Sequence, residues 1–231
     1  MSLFMRTARL TYLVVLALIL GIAESVGSAQ AERIENDLML PRPWPNPVGH
    51  TQDRTVKHAM FKAVQIGNLN VRFEETRLSE VIAAVGSGEI ERAGDAAGSY
   101  YWLCFRFQKD GRTKQLGIFS DGEMGGPEHD VTDIVLSDRI VESNQQCPLL
   151  AGDRAYVVSE NGLGLGSSEK DFLNRFGQPG GYNSGRTSWV FVWKIGGHGQ
   201  LGPGSTAQWV HAKFNDDKAI EIIFGQTSTA D

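Results

Sequence analysis

The chain has 231 residues and a formal net charge of −5 at pH 7. This length suits one large domain or two small ones. The 22 Lys and Arg residues are scattered along the chain. A nucleic-acid-binding protein needs a clustered basic face, so the composition argues against nucleic acid as a partner.

The first 31 residues have the pattern of a cleavable export signal. Arg6 and Arg9 precede an apolar run at 10–23, and small residues then lead to Ala29-Gln30-Ala31. A charged region, a short apolar region and an A-x-A site are typical of a secretory signal peptide, whereas a membrane anchor, the alternative, needs roughly 20 apolar residues. We expect cleavage near Ala31. No cysteine follows for lipid attachment, so we predict a periplasmic or secreted product with no stable membrane anchor.

Residues 32–60 form a lead segment rich in proline. Pro41 to Pro47 alternate with other residues around Trp44. Proline lacks an amide donor and fixes its own φ, so this stretch cannot be a helix or a central strand and should be extended. It is either a stiff spacer or a partner-binding arm.

The chain has two cysteines, Cys104 and Cys147. Because an exported protein folds in an oxidising compartment, we expect them to form a disulfide, with two buried thiols as the alternative. No CxxC or HxxxH spacing accompanies them, so we predict no metal site.

An internal repeat divides the rest of the chain into a first unit, 61–141, a linker, 142–160, and a second unit, 161–231. Residues 76–86 and 167–177 share apolar positions at helical spacing, begin near hydroxyl residues and end at a glycine. An aromatic strand follows each helix, at 101–107 and 189–195, with two more strands in each half at 115–119, 131–136, 208–214 and 219–224. The prediction is an α+β fold of two tandem units, each a short helix or helix pair packed on an antiparallel sheet of three to four strands.

The second half also resembles a known family. Leu165 to Ser168, the helix through Phe172 and Leu173, the Gly177-Gln178-Pro179 turn, an aromatic strand and the hairpin at 214–219 are similar to the small lipoprotein of the outer-membrane β-barrel assembly machinery. They are also similar to the tandem repeat unit of the β-lactamase inhibitory protein. The resemblance covers about 60 residues and is a fold-level analogy. It implies a protein-binding surface on the outward face of the sheet.

The strand phases predict which residues form that surface. With period two, the face opposite the helices carries aromatic and basic residues of the types that dominate protein interfaces. They are Trp102, Arg106, Lys194, Trp209, His211 and Lys213.

The candidate motifs for catalysis or cofactor binding in the sequence are incomplete. In Gly162-Leu163-Gly164-Leu165-Gly166 the third glycine of a dinucleotide motif is replaced by Ser167, and the five histidines are dispersed. We therefore predict a non-enzymatic protein without a cofactor or a catalytic site.

These patterns together favour an exported protein that binds another protein. The leading hypothesis is an inhibitor or immunity protein that neutralises an enzyme or toxin in the periplasm. The alternative is a factor for envelope or outer-membrane assembly and maintenance.

Overall fold

The computed structural model describes residues 54–56, 59–93, 99–121, 129–139, 147–150, 152, 156–183, 185–194 and 204–228. The predicted signal peptide and the proline-rich stretch around Trp44 lie outside these residues. Within them the chain forms two helices, α1 (Leu78–Val85) and α2 (Glu169–Phe176). The strands are β1 (Arg54–Thr55), β2 (Ala63–Ile66), β3 (Leu69–Arg72), β4 (Glu91–Ala93), β5 (Tyr100–Lys109), β6 (Arg112–Asp121), β7 (Asp133–Ser137), β8 (Val157–Ser159), β9 (Gly181–Asn183), β10 (Arg186–Lys194), β11 (Ser205–Asn215) and β12 (Lys218–Ser228).

Helix α2 begins and ends as its sequence predicts. The Ser168 hydroxyl accepts a hydrogen bond from the Asp171 amide at 3.2 Å, and the Asp171 carboxylate accepts one from the Ser168 amide at 2.9 Å. This reciprocal pair satisfies amides that have no partner inside the helix. The helix ends at Gly177, whose φ is 74°. Its buried face carries Phe172 and Phe176, which pack against Trp189 of β10 at ring distances of 5.7 and 6.0 Å.

Helix α1 is capped differently from the prediction. Its N-cap is Arg77, not a hydroxyl residue, and the Arg77 amide donates to the Glu80 carboxylate at 2.8 Å. The Thr76 hydroxyl instead accepts a hydrogen bond from the Arg72 amide at 2.9 Å. Gly86, with φ of 77°, ends the helix in the left-handed conformation that glycine adopts without steric cost.

A large sheet joins the two halves of the chain. Eight strands follow the order β1-β10-β11-β12-β7-β6-β5-β4, and β9 pairs beside β10. Strand β7 of the first half pairs antiparallel with β12 of the second half, from Glu221 opposite Ser137 to Gly225 opposite Asp133. The sheet is therefore continuous across the predicted boundary between the units.

The predicted fold class is wrong. The described part of the chain is mostly β, its two helices have eight residues each, and its strands form a large sheet and a small one. This is not an arrangement of two helix-plus-sheet units in tandem. The physical reason is the β7–β12 pairing, which lets the strands of both halves share one ladder of hydrogen bonds in place of two separate sheet edges.

A small sheet of order β3-β2-β8 completes the structure. It brings β8, from the predicted linker, beside β2 of the predicted first unit. Side chains of this sheet and of the preceding segment share one hydrophobic core with the inner face of the large sheet. Phe61, for example, packs edge-on against Phe73 at 5.4 Å and against Phe224 of β12 at 5.5 Å.

The predicted disulfide is confirmed. Cys104 of β5 and Cys147 are bonded, with 5.1 Å between their Cα atoms. Backbone hydrogen bonds continue the connection, because the Arg106 amide donates to the Pro148 carbonyl and the Leu150 amide donates to the Arg106 carbonyl. The disulfide and these bonds fix the segment 147–150 along the edge of β5.

Candidate protein-binding face

We call the face of the large sheet opposite the main hydrophobic core cluster the outer face, although its central side chains, among them Phe119, Val135 and Ile223, are buried too. Strand register builds it from side chains that align in rows across neighbouring strands. One row contains Trp102, Phe119, Asp133, Gly225 and Trp209 in successive strands. The next contains Cys104, Gly117, Val135, Ile223 and His211, and a third contains Arg106, Gln115, Ser137, Glu221 and Lys213.

The register therefore places five of the predicted binding residues on the same face. They fall into two groups, Trp102 and Arg106 on β5, and Trp209, His211 and Lys213 on β11. Four strand spacings separate β5 from β11, or about 19 Å at ordinary strand distances. Lys194, the sixth predicted residue, is the last residue of β10, and its side chain is not among those that the structure describes.

Exposure separates the two groups further. Trp209 is 2% exposed and His211 is 4% exposed, so neither offers contact area to a partner. Lys213 and Trp102 are half-buried, and Arg106 is exposed. The accessible members of the predicted set on the outer face are therefore Trp102 and Arg106 on β5 and, four strands away, Lys213 on β11.

The buried Trp209 has a structural role that the sequence does not reveal. Its indole lies against Gly225, where an added Cβ would come within 2.2 Å of the ring. The indole Nε1 then reaches the Asp133 carboxylate of β7 and donates a hydrogen bond to Oδ1 at 3.1 Å. The side chain thus links β11 to β7 across β12.

Substituting Gly225 by alanine is expected to lower the free energy of unfolding by about 3 kcal/mol. The new methyl group would displace the indole and also lie 2.4 Å from Asp133 Oδ1. Chemical denaturation of the variant measures the loss. In a Trp209→Ala background the same substitution should cost less, because only the clash with Asp133 remains, and an equal cost in both backgrounds would contradict the packing argument.

Asp133 is a fully buried carboxyl group whose neighbours in this face are mainly uncharged. Its Oδ2 accepts a hydrogen bond from the Thr132 hydroxyl at 2.9 Å. Burial raises the pKa of Asp133 to about 7, and the nearby Asp121 carboxylate adds to the rise, while the bonds from Thr132 and Trp209 oppose it. This side chain is therefore a weak acid that titrates near neutral pH.

His211 responds in the opposite direction. Its Nδ1 lies 2.8 Å from the Ser188 hydroxyl of β10. Burial lowers the pKa of His211 to about 4, and the positive charge of Arg186 contributes in the same sense. Ser188 and His211 are both buried, at 1% and 4% exposure, so this pair is a neutral hydrogen-bonded contact inside the structure.

The accessible end of the outer face carries a group of stacked aromatic rings. Trp102 stacks on Tyr100 at 5.2 Å and on Phe119 at 6.4 Å, with interplanar angles of 28° and 24°. Such offset stacking fixes the orientation of the rings. Trp102 therefore presents its partly exposed edge in a defined position.

Arg106 lies four residues along the same strand and is also held in place. Its Nε donates to the carbonyl of Cys147 at 2.8 Å, next to the disulfide. The isolated bridge between Arg106 and Leu149 places Leu149 beside it, with 51% of that side chain exposed. We call Trp102, Arg106 and Leu149 the β5 strip. The Cys104–Cys147 disulfide lies between its two ends.

Across the described ranges, no helix is long and apolar enough to cross a membrane. The same ranges contain no group of three or more His, Cys, Asp or Glu side chains arranged to hold a metal ion.

In comparisons with known proteins, no protein-family model, no curated protein and no solved structure matches the chain. The resemblance to the tandem inhibitory repeat and to the assembly-machinery lipoprotein therefore stays an interpretation of the sequence.

Proposed function

We propose that this protein is exported and binds another protein through the β5 strip, as an inhibitor or immunity protein that neutralises a periplasmic enzyme or toxin. The observation that carries the proposal is a preformed aromatic, basic and apolar surface formed by β5 and the segment 147–150 beside it. Trp and Arg are the residue types that contribute most to binding energy at protein interfaces.

The rigidity of the β5 strip supports inhibition as its role. Trp102 is stacked between two rings, and Arg106 is bonded to the Cys147 carbonyl beside a disulfide. A surface ordered before binding loses little conformational entropy when the partner docks. Inhibitors of enzymes typically bind in this preorganised manner.

The disulfide supports export. Structural disulfides form and persist in oxidising compartments such as the periplasm and the extracellular space. Cys104 and Cys147 are 7% and 5% exposed, so the bond lies inside the folded protein. The signal-like pattern at 1–31 and this disulfide both support export to an oxidising compartment.

Capture of a partner from envelope extracts tests the function. The purified disulfide-bonded protein serves as bait beside Trp102→Ala and Arg106→Ala variants. Each substitution is expected to weaken binding about 30-fold, because loss of an interface anchor costs roughly 2 kcal/mol. Tyr182→Ala is the matched control, since Tyr182 is 76% exposed on β9 at the opposite edge of the sheet.

The captured partner must then be assayed for activity. An enzyme or toxin that loses activity at equimolar amounts of the protein supports the inhibitor role. Capture of an outer-membrane assembly complex would replace it with the envelope-assembly role. Equal capture by the wild type and both β5 variants would show that the β5 strip is not the binding surface.

A further inference from the structure

We infer that the β5 strip recognises an acidic, apolar protein segment: a carboxylate that pairs with Arg106, next to an apolar side chain that covers Leu149 and Trp102. This inference rests on the proposed protein-binding function and specifies the chemistry of the partner. Three features support this inference: the hydrogen bonding of the Arg106 guanidinium, the apolar side chains beside Arg106, and the negative charge of Glu91 near Trp102.

The guanidinium of Arg106 is held in place through one nitrogen. Its Nε donates to the Cys147 carbonyl, and the two terminal nitrogens provide the N–H fork that can bind a carboxylate with two parallel hydrogen bonds. Among the described residues, ion pairs within 4.0 Å join other side chains, and none involves Arg106. Arg106 is exposed, so an incoming carboxylate can reach it.

Apolar side chains lie beside Arg106. Leu149 is half exposed next to it, and the half-buried Trp102 follows along the strand, beyond the buried Cys104–Cys147 disulfide. An exposed ion pair alone contributes about 0–1 kcal/mol to binding, which is too little for a specific complex. An apolar side chain on Leu149 and Trp102 would exclude water from the ion pair and so strengthen it.

The charges near the β5 strip set the direction in which a partner segment lies. Glu91 of β4 is opposite Trp102 in the register, so the Trp102 end repels an acidic group, whereas the Arg106 end attracts it. Gln115, the register neighbour of Arg106 on β6, is uncharged. The acidic residue of the partner therefore belongs over Arg106, and its apolar residue belongs toward Trp102.

Selection from random peptides tests this inference without a known partner. Phage-displayed peptides of about 12 residues are selected on the disulfide-bonded protein, and the consensus is synthesised for affinity measurement. The expected consensus pairs Asp or Glu with Leu, Phe or Trp. Its affinity should fall at least about tenfold for Arg106→Glu, because one charge-assisted bidentate contact is lost and a repulsion is added.

Matched variants make the result specific. Arg112→Glu reverses an exposed charge whose place in the β5–β6 register puts it on the opposite face from Arg106, so it should change the affinity less than about twofold. Arg106→Gln removes the charge without reversing it and should give an intermediate loss. A peptide with Lys in place of the acidic residue should regain affinity for Arg106→Glu. Denaturation curves of each variant verify folding.

Three outcomes would overturn the inference: no enriched peptide, a consensus without acidic residues, or equal affinity for the wild type and Arg106→Glu. These outcomes differ from failure of the proposed function. If envelope capture depends on Trp102 while the peptides lack acid, the function holds and the inference fails. If acidic peptides bind while no captured enzyme is inhibited, the inference holds and the inhibitor role fails.

Discussion

Replacing Asp133 by asparagine is expected to raise the free energy of unfolding at pH 8 by up to about 4 kcal/mol and to change it little at pH 4. Asparagine has nearly the same shape, keeps an oxygen for the Trp209 indole and carries no charge at either pH. The gain is large because the wild-type protein must bury an ionised carboxylate above neutral pH.

The direction follows from proton binding. The pKa of Asp133 is about 7 in the folded protein and near the ordinary value of 3.8 when unfolded. Between these values the folded state binds a proton that the unfolded state does not, so stability falls as pH rises from about 4 to about 7. Burial also raises the pKa of Asp121, which acts in the same direction.

His211 opposes this trend in the wild-type protein. Its pKa is about 4 in the folded state and 6.5 when unfolded, so acidification through this range favours the unfolded state by up to about 3 kcal/mol. The two effects largely cancel between pH 4 and 6.5. Asp133→Asn should reveal the histidine contribution as stability that increases from pH 4 to 6.5.

Urea unfolding of the wild type, Asp133→Asn and an Asp133→Asn/His211→Gln double variant at several pH values measures these terms. The double variant is the control, because most of the pH dependence between 4 and 7 should disappear from it. Equal stability of Asp133→Asn and the wild type at pH 8 would show that the buried carboxyl does not carry this cost.

Local patterns in the sequence predicted many of the individual elements. Both helices and the six long strands of the large sheet lie within a few residues of their predicted positions, because periodicity and the glycine and proline stops are local signals. The β2–β3 hairpin was missed, although it had a signal of the same kind. Gly67-Asn68, with a Gly67 φ of 58°, forms a two-residue loop between apolar residues.

The arrangement of these elements depends on long-range contacts that leave no local pattern. Nothing in 131–136 or 219–224 indicates that β7 and β12 pair with each other, and that pairing is what makes the fold class differ from the prediction. Likewise, alternation places Trp102, Trp209 and His211 on one face but cannot tell which of them is covered. The buried Trp209 packs against Gly225 of the neighbouring strand and bonds Asp133 of β7, a strand that is distant in the sequence.

Loss of the Cys104–Cys147 disulfide is the other change with a large expected effect. The two cysteines are 43 residues apart, and opening a loop of this size should lower the free energy of unfolding by about 4 kcal/mol in the chain-entropy model. Urea unfolding of the oxidised protein, the protein in dithiothreitol and a Cys104→Ala/Cys147→Ala variant measures the loss. The alanine variant should not respond to dithiothreitol, and an unchanged unfolding midpoint of the reduced wild type would contradict the prediction.

Loss of the disulfide should also weaken binding of a partner to the β5 strip. Cys147 provides the carbonyl that orients Arg106, and the segment 147–150 carries Leu149. Without the covalent bond, noncovalent contacts hold this segment at the edge of β5: the backbone hydrogen bonds of Arg106 to Pro148 and Leu150, the bond from Arg106 Nε to the Cys147 carbonyl, and the buried Leu150 side chain. Peptides selected on the oxidised protein should therefore bind the alanine variant about tenfold more weakly even where it is fully folded, because ordering the segment then opposes binding. Equal affinity would show that these noncovalent contacts are enough to preorganise the β5 strip.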